Sequence, residues 1–282
     1  MTALTSEQLQ TQAAENSGEI LPSVLPKAVG FSAGKYAVKL AETAEELAGA
    51  QALRYQTLYV EAGGKPKPEW VECGREIDSW DEVAYHVIVV DKNREPGQNV
   101  VGCLRLLSNL AIPEGRGFYT EESFDISKLR SHYKKILELS RFCIDSTGRS
   151  GSILLMIWRF TLQLIVDNGF DLMIGCASFK GTDLQEHEAI LSYLYDNNLA
   201  PPELQPSVKL PNSVNIADIY QARPEWDEAK KAVPTLLRGY LKIGAKISDT
   251  AVIDEVFNTT FVSIYVDASQ MVTQNHTLSK KR

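Results

Sequence analysis

Between Ile136 and Tyr195 the chain reads strand, helix, strand, helix, and no other feature narrows its fold as far. Ile136 to Ile144 (Ile-Leu-Glu-Leu-Ser-Arg-Phe-Cys-Ile) is rich in strand formers, and Ile153, Ile157, Phe160 and Leu164 then recur at helical spacing. Asn168-Gly169 supplies the stop for that helix. Leu172 to Ala177 is a short apolar run, and from Asp183 to about Tyr195 a second helix puts Ile190, Leu191, Leu194 and Tyr195 on one side. Two strands joined through a helix pair in parallel, so this stretch predicts a βαβ unit. Upstream, Tyr85 to Asp91 and Val100 to Leu107 are β-rich runs separated by Asn93, Pro96 and Gly97, which predicts an antiparallel hairpin. Before it, Tyr36 to Leu40 alternates like a strand and Thr43-Ala44-Glu45-Glu46 spells a capping box into a helix holding Leu47, Leu53 and Tyr55. A parallel unit beside a hairpin predicts an α/β fold with a mixed sheet.

The 282 residues carry a formal net charge of -7 and are 44% hydrophobic, an ordinary globular balance. That charge argues against nucleic acid as the main partner, because a phosphate backbone demands a large basic field. The most apolar stretch, Ile153 to Val166, is broken by Arg159 and Gln163 and falls short of the roughly 18 residues of a spanning helix. The first thirty residues show neither a basic n-region nor an apolar h-region, so a cytoplasmic protein is expected. Cys73, Cys103, Cys143 and Cys176 are scattered without metal or redox spacing and read as reduced thiols. Residues 1–34 and 271–282 read as polar tails around a single domain at 35–270. Six of the twelve prolines fall between Pro201 and Pro234, marking an insertion at about 199–235.

Four groupings of residues have chemical potential. Gly148-Arg149-Ser150-Gly151-Ser152 stands before the apolar helix, where glycines and helix N–H groups can cradle a phosphate; a plain Gly/Ser helix cap is the competing reading. Glu138 and Arg141 interrupt an apolar strand, which is costly unless they pair or face a polar cleft. Residues three apart on a regular strand point to opposite faces, so a shared site requires a β-bulge near Leu139 or Ser140, with a backbone N–H left over. A structural ion pair is the alternative. Third, Glu76-Ile77-Asp78-Ser79-Trp80-Asp81 places Asp78 and Asp81 on one side of a turn, with Arg105 in the following hairpin, and reads as an anionic cradle or as a solvated acidic turn. Basic residues form the fourth, at Lys65/Lys67, Arg130 to Lys135 and Arg149/Arg159, the places where an acidic protein can dock. The four histidines form no nucleophilic triad, and a divalent-metal reading of the acidic turn is the poorer one, because only two carboxylates cluster and no histidine lies at ligand spacing.

Taken in order, Arg54 to Val60, Glu76-Ile77-Asp78 with Asp81, Val101 to Leu107 and Glu138-Leu139-Ser140-Arg141-Phe142 resemble the acyl-homoserine-lactone synthases and their relatives. Asp171 to Asp183, with its Gly175-Cys176-Ala177-Ser178-Phe179 run, and Leu237 to Ala245 are similar to the bacterial ornithine N-acyltransferases, which make lyso-ornithine lipid. The resemblance spans roughly residues 36 to 267. It implies a GNAT (acyl-CoA N-acyltransferase) fold, with a mixed, mostly antiparallel central sheet and helices on both faces. It implies Glu138 and Arg141 as the catalytic pair, and Arg54, Trp70, Asp78, Asp81 and Arg105 as the substrate-binding set. It further implies an acyl-phosphopantetheine, carried on acyl carrier protein, against Gly148 to Ser152, with Lys134, Lys135 and Arg159 docking the carrier. No other cofactor and no metal are implied. The implied acceptor is L-ornithine, its α-amine taking a (3-hydroxy)fatty acyl chain, and the product would draw the enzyme transiently to the inner membrane. The alternatives are a lactone synthase, an enzyme for another amino acid such as glutamine, and a non-catalytic lipid or carrier-binding module.

Overall fold

A computed structural model describes residues 28–146, 151–222 and 226–270. The chain divides into two compact units. The first comprises the described residues up to Leu58, Pro66–Leu106 and Arg141–Leu164; the second comprises Tyr59–Lys65, Leu107–Ser140 and the described residues from Ile165 onward.

In the first unit, β1 (Phe31–Ala33), β2 (Tyr36–Leu40), β3 (Tyr85–Asp91) and β4 (Val100–Ser108, as far as Leu106) follow one another as antiparallel neighbours. Strand β1 corrects the expectation that residues 1–34 are tail throughout. Gly34 takes φ 58, a conformation open to glycine, and turns the chain so that Phe31 pairs with Val38. Helix α1 (Ala44–Tyr55) starts where the capping box predicts, with the Thr43 side chain accepting from the Glu46 N–H at 3.2 Å. The Glu46 carboxylate, however, accepts from Glu42 N–H at 2.9 Å.

Successive positions on β3 and β4 face opposite ways, and each side is covered by a helix. Ile88 and Cys103, directly paired, join Ala50 and Leu53 of α1 in one apolar cluster. On the other side lie Val89 and Gly102, and a Cβ on Gly102 would sit 2.6 Å from a methyl of Ile153, on the long helix Ser152–Asn168. Gly102 therefore lets that helix approach the sheet. The short helix α2 (Pro68–Cys73) precedes the acidic turn.

The second unit orders its strands β6-β7-β11-β10-β9: β6 (Ile136–Ile144, as far as Ser140), β7 (Leu172–Lys180), β9 (Ser213–Asn215), β10 (Lys246–Asp254) and β11 (Thr259–Asp267). Strands β6 and β7 run parallel from Ile136↔Leu172 to Leu139↔Gly175, the predicted βαβ pairing, while the other ladders named here are antiparallel. A two-stranded pair, β5 (Phe124–Asp125) with β8 (Ser207–Val208), lies beside them in the same unit. In chain order the further helices are α3 (Ser127–His132), α4 (Ser152–Asn168), α5 (Leu184–Asn198), α6 (Asp227–Ala232) and α7 (Thr235–Lys242). The Pro-rich stretch supplies β8, β9 and two short 3-10 turns, so it is partly built into the sheet. The α/β fold with a mixed sheet is what the sequence pattern predicts, and its mostly antiparallel ladders are what the resemblance implies. Among the described residues, no helix is long and apolar enough to cross a membrane.

Candidate active site

Arg54 closes α1 with its side chain 1% exposed, and such a buried charge has to be met by carboxylates. Helical spacing puts Gln51 on the same side of α1, one turn earlier. Arg54 reaches the acidic turn. Its terminal nitrogens bind both oxygens of Asp81, at 2.8 and 2.7 Å, and Nη2 also donates to the Glu76 carbonyl at 2.6 Å. Its Nε lies 2.5 Å from the Glu76 carboxylate. Gln51 completes Asp81, donating to Oδ2 at 3.0 Å. Arg105 of β4 meets Asp78 at 2.5 Å and Asp81 at 3.3 Å through Nη1. Arg141 of β6 reaches Glu76 at 3.0 Å and Asp78 at 3.4 Å. Three guanidinium groups thus face three carboxylates, and the cluster balances its own charge.

The acidic turn is held in place as well as paired. Asp78 caps the 3-10 turn Ser79–Val83 by accepting from the Trp80 N–H at 2.9 Å, and Trp70 of α2 donates its indole N–H to the Ile77 carbonyl at 2.9 Å. Trp70, expected among the substrate-binding residues, is buried and supports the turn's backbone. Within the cluster, exposure is unequal. Arg54, Glu76, Asp81 and Arg105 have side chains 0 to 5% exposed, whereas Arg141 and Asp78 reach 9 and 15%.

Electrostatics follow from this packing. Burial on its own would raise the Asp81 carboxyl, but the Arg54 guanidinium overrides it and holds the group well below the usual carboxylate range. Asp78 shows the same balance, with Arg105 and then Arg141 outweighing burial. Arg54 is held above its ordinary value because Glu76 and Asp81 outweigh its desolvation. His86 of β3, missed from the sequence, has its Nε2 3.4 Å from the Asp81 carbonyl. Burial pushes its imidazole down to about 4, against a smaller opposing pull from Asp81. His86 is therefore neutral in the fold at neutral pH.

This gives an acid-stability signature. The unfolded chain protonates His86 near its ordinary 6.5, but the folded one does so only near 4. Between those values the unfolded state binds more protons, so stability falls as pH drops from 6.5 towards 4. The gap corresponds to roughly 3 kcal/mol. Urea midpoints for His86→Gln are expected to decline less between about pH 7 and about pH 4.5 than those of the parent chain.

Glu138 of β6 lies in the second unit, fully buried. Its Oε2 accepts from the Tyr119 N–H at 2.8 Å; its Oε1 accepts from the Thr120 N–H at 2.6 Å and from the Thr120 hydroxyl. Both amides open a 3-10 turn, Tyr119–Glu122, that lies in a stretch the sequence shows only as irregular and acidic. The Thr120 Oγ1 is also 3.9 Å from the Cys176 sulfur on β7. Within β6, Arg141 has φ 56, left-handed for a non-glycine residue. The parallel ladder ends at Leu139↔Gly175. Gly175 has no room for a side chain, since a Cβ would meet the Leu139 carbonyl oxygen at 2.5 Å. At the ladder's end a small apolar cleft is lined by Leu139, Met173, Gly175, Tyr240, Ile264 and Val266.

Of the loop before α4, Gly148, Arg149 and Ser150 lie outside the described residues, whereas Gly151, at φ 80, and Ser152 lead into the helix. The Lys134 and Lys135 side chains are exposed, and their backbone N–H groups donate to Asp171 at 3.2 and 2.9 Å. Arg159, also exposed, stacks its guanidinium over the Phe31 ring at 4.8 Å.

The family model described as Acetyltransferase (GNAT) domain matches residues 53–159, which include Arg54, the acidic turn, Arg105, Glu138 and Arg141. The L-ornithine N(alpha)-acyltransferase of Agrobacterium fabrum is 32% identical over 243 residues, covering 84% of this chain and 83% of that protein. The protein of that name from Rhizobium meliloti is 34% identical over 233 residues, covering 80% and 78%. Its counterpart in Rhodobacter capsulatus is 30% identical over 240 residues, covering 84% and 91%. With identity at this level over most of both chains, the protein is an acyltransferase of GNAT fold and belongs to the L-ornithine N(alpha)-acyltransferase family.

Proposed function

We propose that this enzyme transfers a (3-hydroxy)fatty acyl group from acyl carrier protein to the α-amine of L-ornithine, giving lyso-ornithine lipid and holo carrier protein. The observation that carries this reading is the shared name of relatives 30 to 34% identical over four fifths or more of the chain. Buried, charge-balanced clusters are costly to build, and this one leaves a carboxylate and a guanidinium at its more exposed edge. Asp78 is suited to a side-chain ammonium and Arg141 to a carboxylate. Arg54, Asp81, Arg105 and Glu76 hold those two in place.

In the transfer, the free α-amine attacks the thioester carbon, a C–N bond forms and the C–S bond breaks. Glu138 takes the amine proton, directly or through one water, and the departing phosphopantetheine thiolate takes up a proton. The apolar cleft beside Leu139 and Gly175 receives acyl chain, which its lining favours. Gly148 to Ser152 meets the phosphodiester of the pantetheine arm, and Lys134, Lys135 and Arg159 meet the acidic carrier. The product, carrying a fatty chain, draws the enzyme transiently to the inner membrane.

Acceptor analogues test the charge recognition. With acyl carrier protein thioester as donor, L-ornithine is expected to release thiol at least about tenfold faster than norvaline, which lacks the side-chain ammonium, or putrescine, which lacks the carboxylate. Norvaline matching ornithine would remove Asp78 from its role, and putrescine matching it would remove Arg141. Lactone release from S-adenosylmethionine would favour a lactone synthase instead.

A further inference from the structure

Thr120 supplies two of the three hydrogen bonds described above for Glu138, and both go to Oε1. Its two donors are not equivalent. The backbone N–H can only donate, whereas the hydroxyl rotates and can either donate or accept. Facing an ionised carboxylate, the hydroxyl donates to Oε1; once Glu138 holds a proton, the same hydroxyl can turn and accept it. Its own hydrogen then has the Cys176 sulfur, 3.9 Å from Oγ1, as a weak acceptor in the direction away from Glu138. The residue is 1% exposed, so no bulk water replaces it in that exchange.

The turn that presents Thr120 is firmly tied. Phe118 N–H donates to Glu121 Oε2 at 2.6 Å, and Arg130 grips the Glu121 carboxylate through Nε and Nη2, at 3.0 and 2.5 Å. The same guanidinium stacks over the Phe118 ring at 4.8 Å. Ser123 N–H closes the turn on the Thr120 carbonyl at 3.1 Å. A hydroxyl that could rotate is thus mounted on a backbone that is held fixed.

We propose that Thr120 is a positioning residue for the acyl transfer, its hydroxyl orienting Glu138 and accommodating both of its protonation states. This rests on the reading of Glu138 as the base.

Thr120→Val keeps the shape and the backbone N–H while removing the hydroxyl. It is expected to lower kcat roughly 10- to 100-fold and leave KM for ornithine within about twofold. The lost donor had favoured the ionised carboxylate, so the acidic limb of the kcat/KM profile is expected to move up by roughly one to two pH units. Thr120→Ser restores the hydroxyl and is expected to recover turnover to within about threefold of the parent. A Val variant with parental turnover and an unmoved acidic limb, measured beside an inactive Glu138→Gln, would overturn the role of Thr120 alone. So would a Val variant that loses melting temperature and turnover together while the limb stays in place. If Glu138→Gln itself retains turnover, the base assignment fails, and this inference fails with it.

Discussion

Replacing Arg54 with methionine is expected to destabilise the fold by about 3–5 kcal/mol, because it removes the buried positive charge that balances Glu76 and Asp81. Methionine fills much of the arginine stem's volume, so the loss is electrostatic more than a cavity. Glu76 and Asp81 are 0 and 5% exposed and share Arg54 as a principal partner. Without it the three carboxylates share two guanidinium groups, those of Arg105 and Arg141. For a chain of this size the melting temperature should fall by roughly 10 °C. Arg54→Lys is expected to rescue little, since an ammonium cannot bind both Asp81 oxygens and reach Glu76 as the guanidinium does. Adding Asp81→Asn to Arg54→Met should recover part of the loss, and a coupling of about 1 kcal/mol or more in that double-mutant cycle would establish the pairing. Additive effects would mean that Arg54 and Asp81 contribute independently.

Glu138→Gln is expected to reduce turnover roughly 100- to 10,000-fold, the range over which a positioned general base acts. The amide matches the carboxylate in shape but cannot take a proton. It also turns an NH2 group towards the backbone donors of Tyr119 or Thr120, which should cost stability by about 1–3 kcal/mol. Turnover is therefore compared at a temperature where circular dichroism shows the variant fully folded. Near-parental turnover there would assign proton removal to another group.

How much of this could be read from the sequence differs from element to element. The hairpin Tyr85–Asp91 with Val100–Ser108, strand Ile136–Ile144 and the helix after it carry strong periodic signals and lie close to where those signals place them. Strand β10 escaped because Ser248-Asp249-Thr250 interrupts its apolar run. In the fold that interruption is a register shift between Ile247 and Ala251, and Ser248 is buried, bonding to the Thr250 carbonyl and to the Ser263 N–H. Strand β1 is short and half-exposed, leaving almost no hydrophobic pattern.

The same contrast holds at the site. Charged residues inside apolar strands are conspicuous, so Glu138, Arg141 and Arg105 stand out, as does the acidic turn. What the sequence leaves invisible is which carboxylate meets which guanidinium, because those contacts join α1, the turn, β4 and β6. Gln51 was within reach of a periodicity argument, lying one helical turn before Arg54. His86 and Thr120 were not. Each is a single polar residue whose partner only the fold reveals, and it brings Thr120 to Glu138 across 18 positions.

The most direct measurement supplies purified enzyme with acyl carrier protein thioester and L-ornithine, then follows free thiol and the mass and connectivity of the product. The proposed transfer yields ornithine-dependent thiol release, one acyl group per thiol, and an amide on the α-nitrogen with the side-chain amine still free. Thiol release that does not depend on ornithine, or acylation of the side-chain nitrogen, would contradict it.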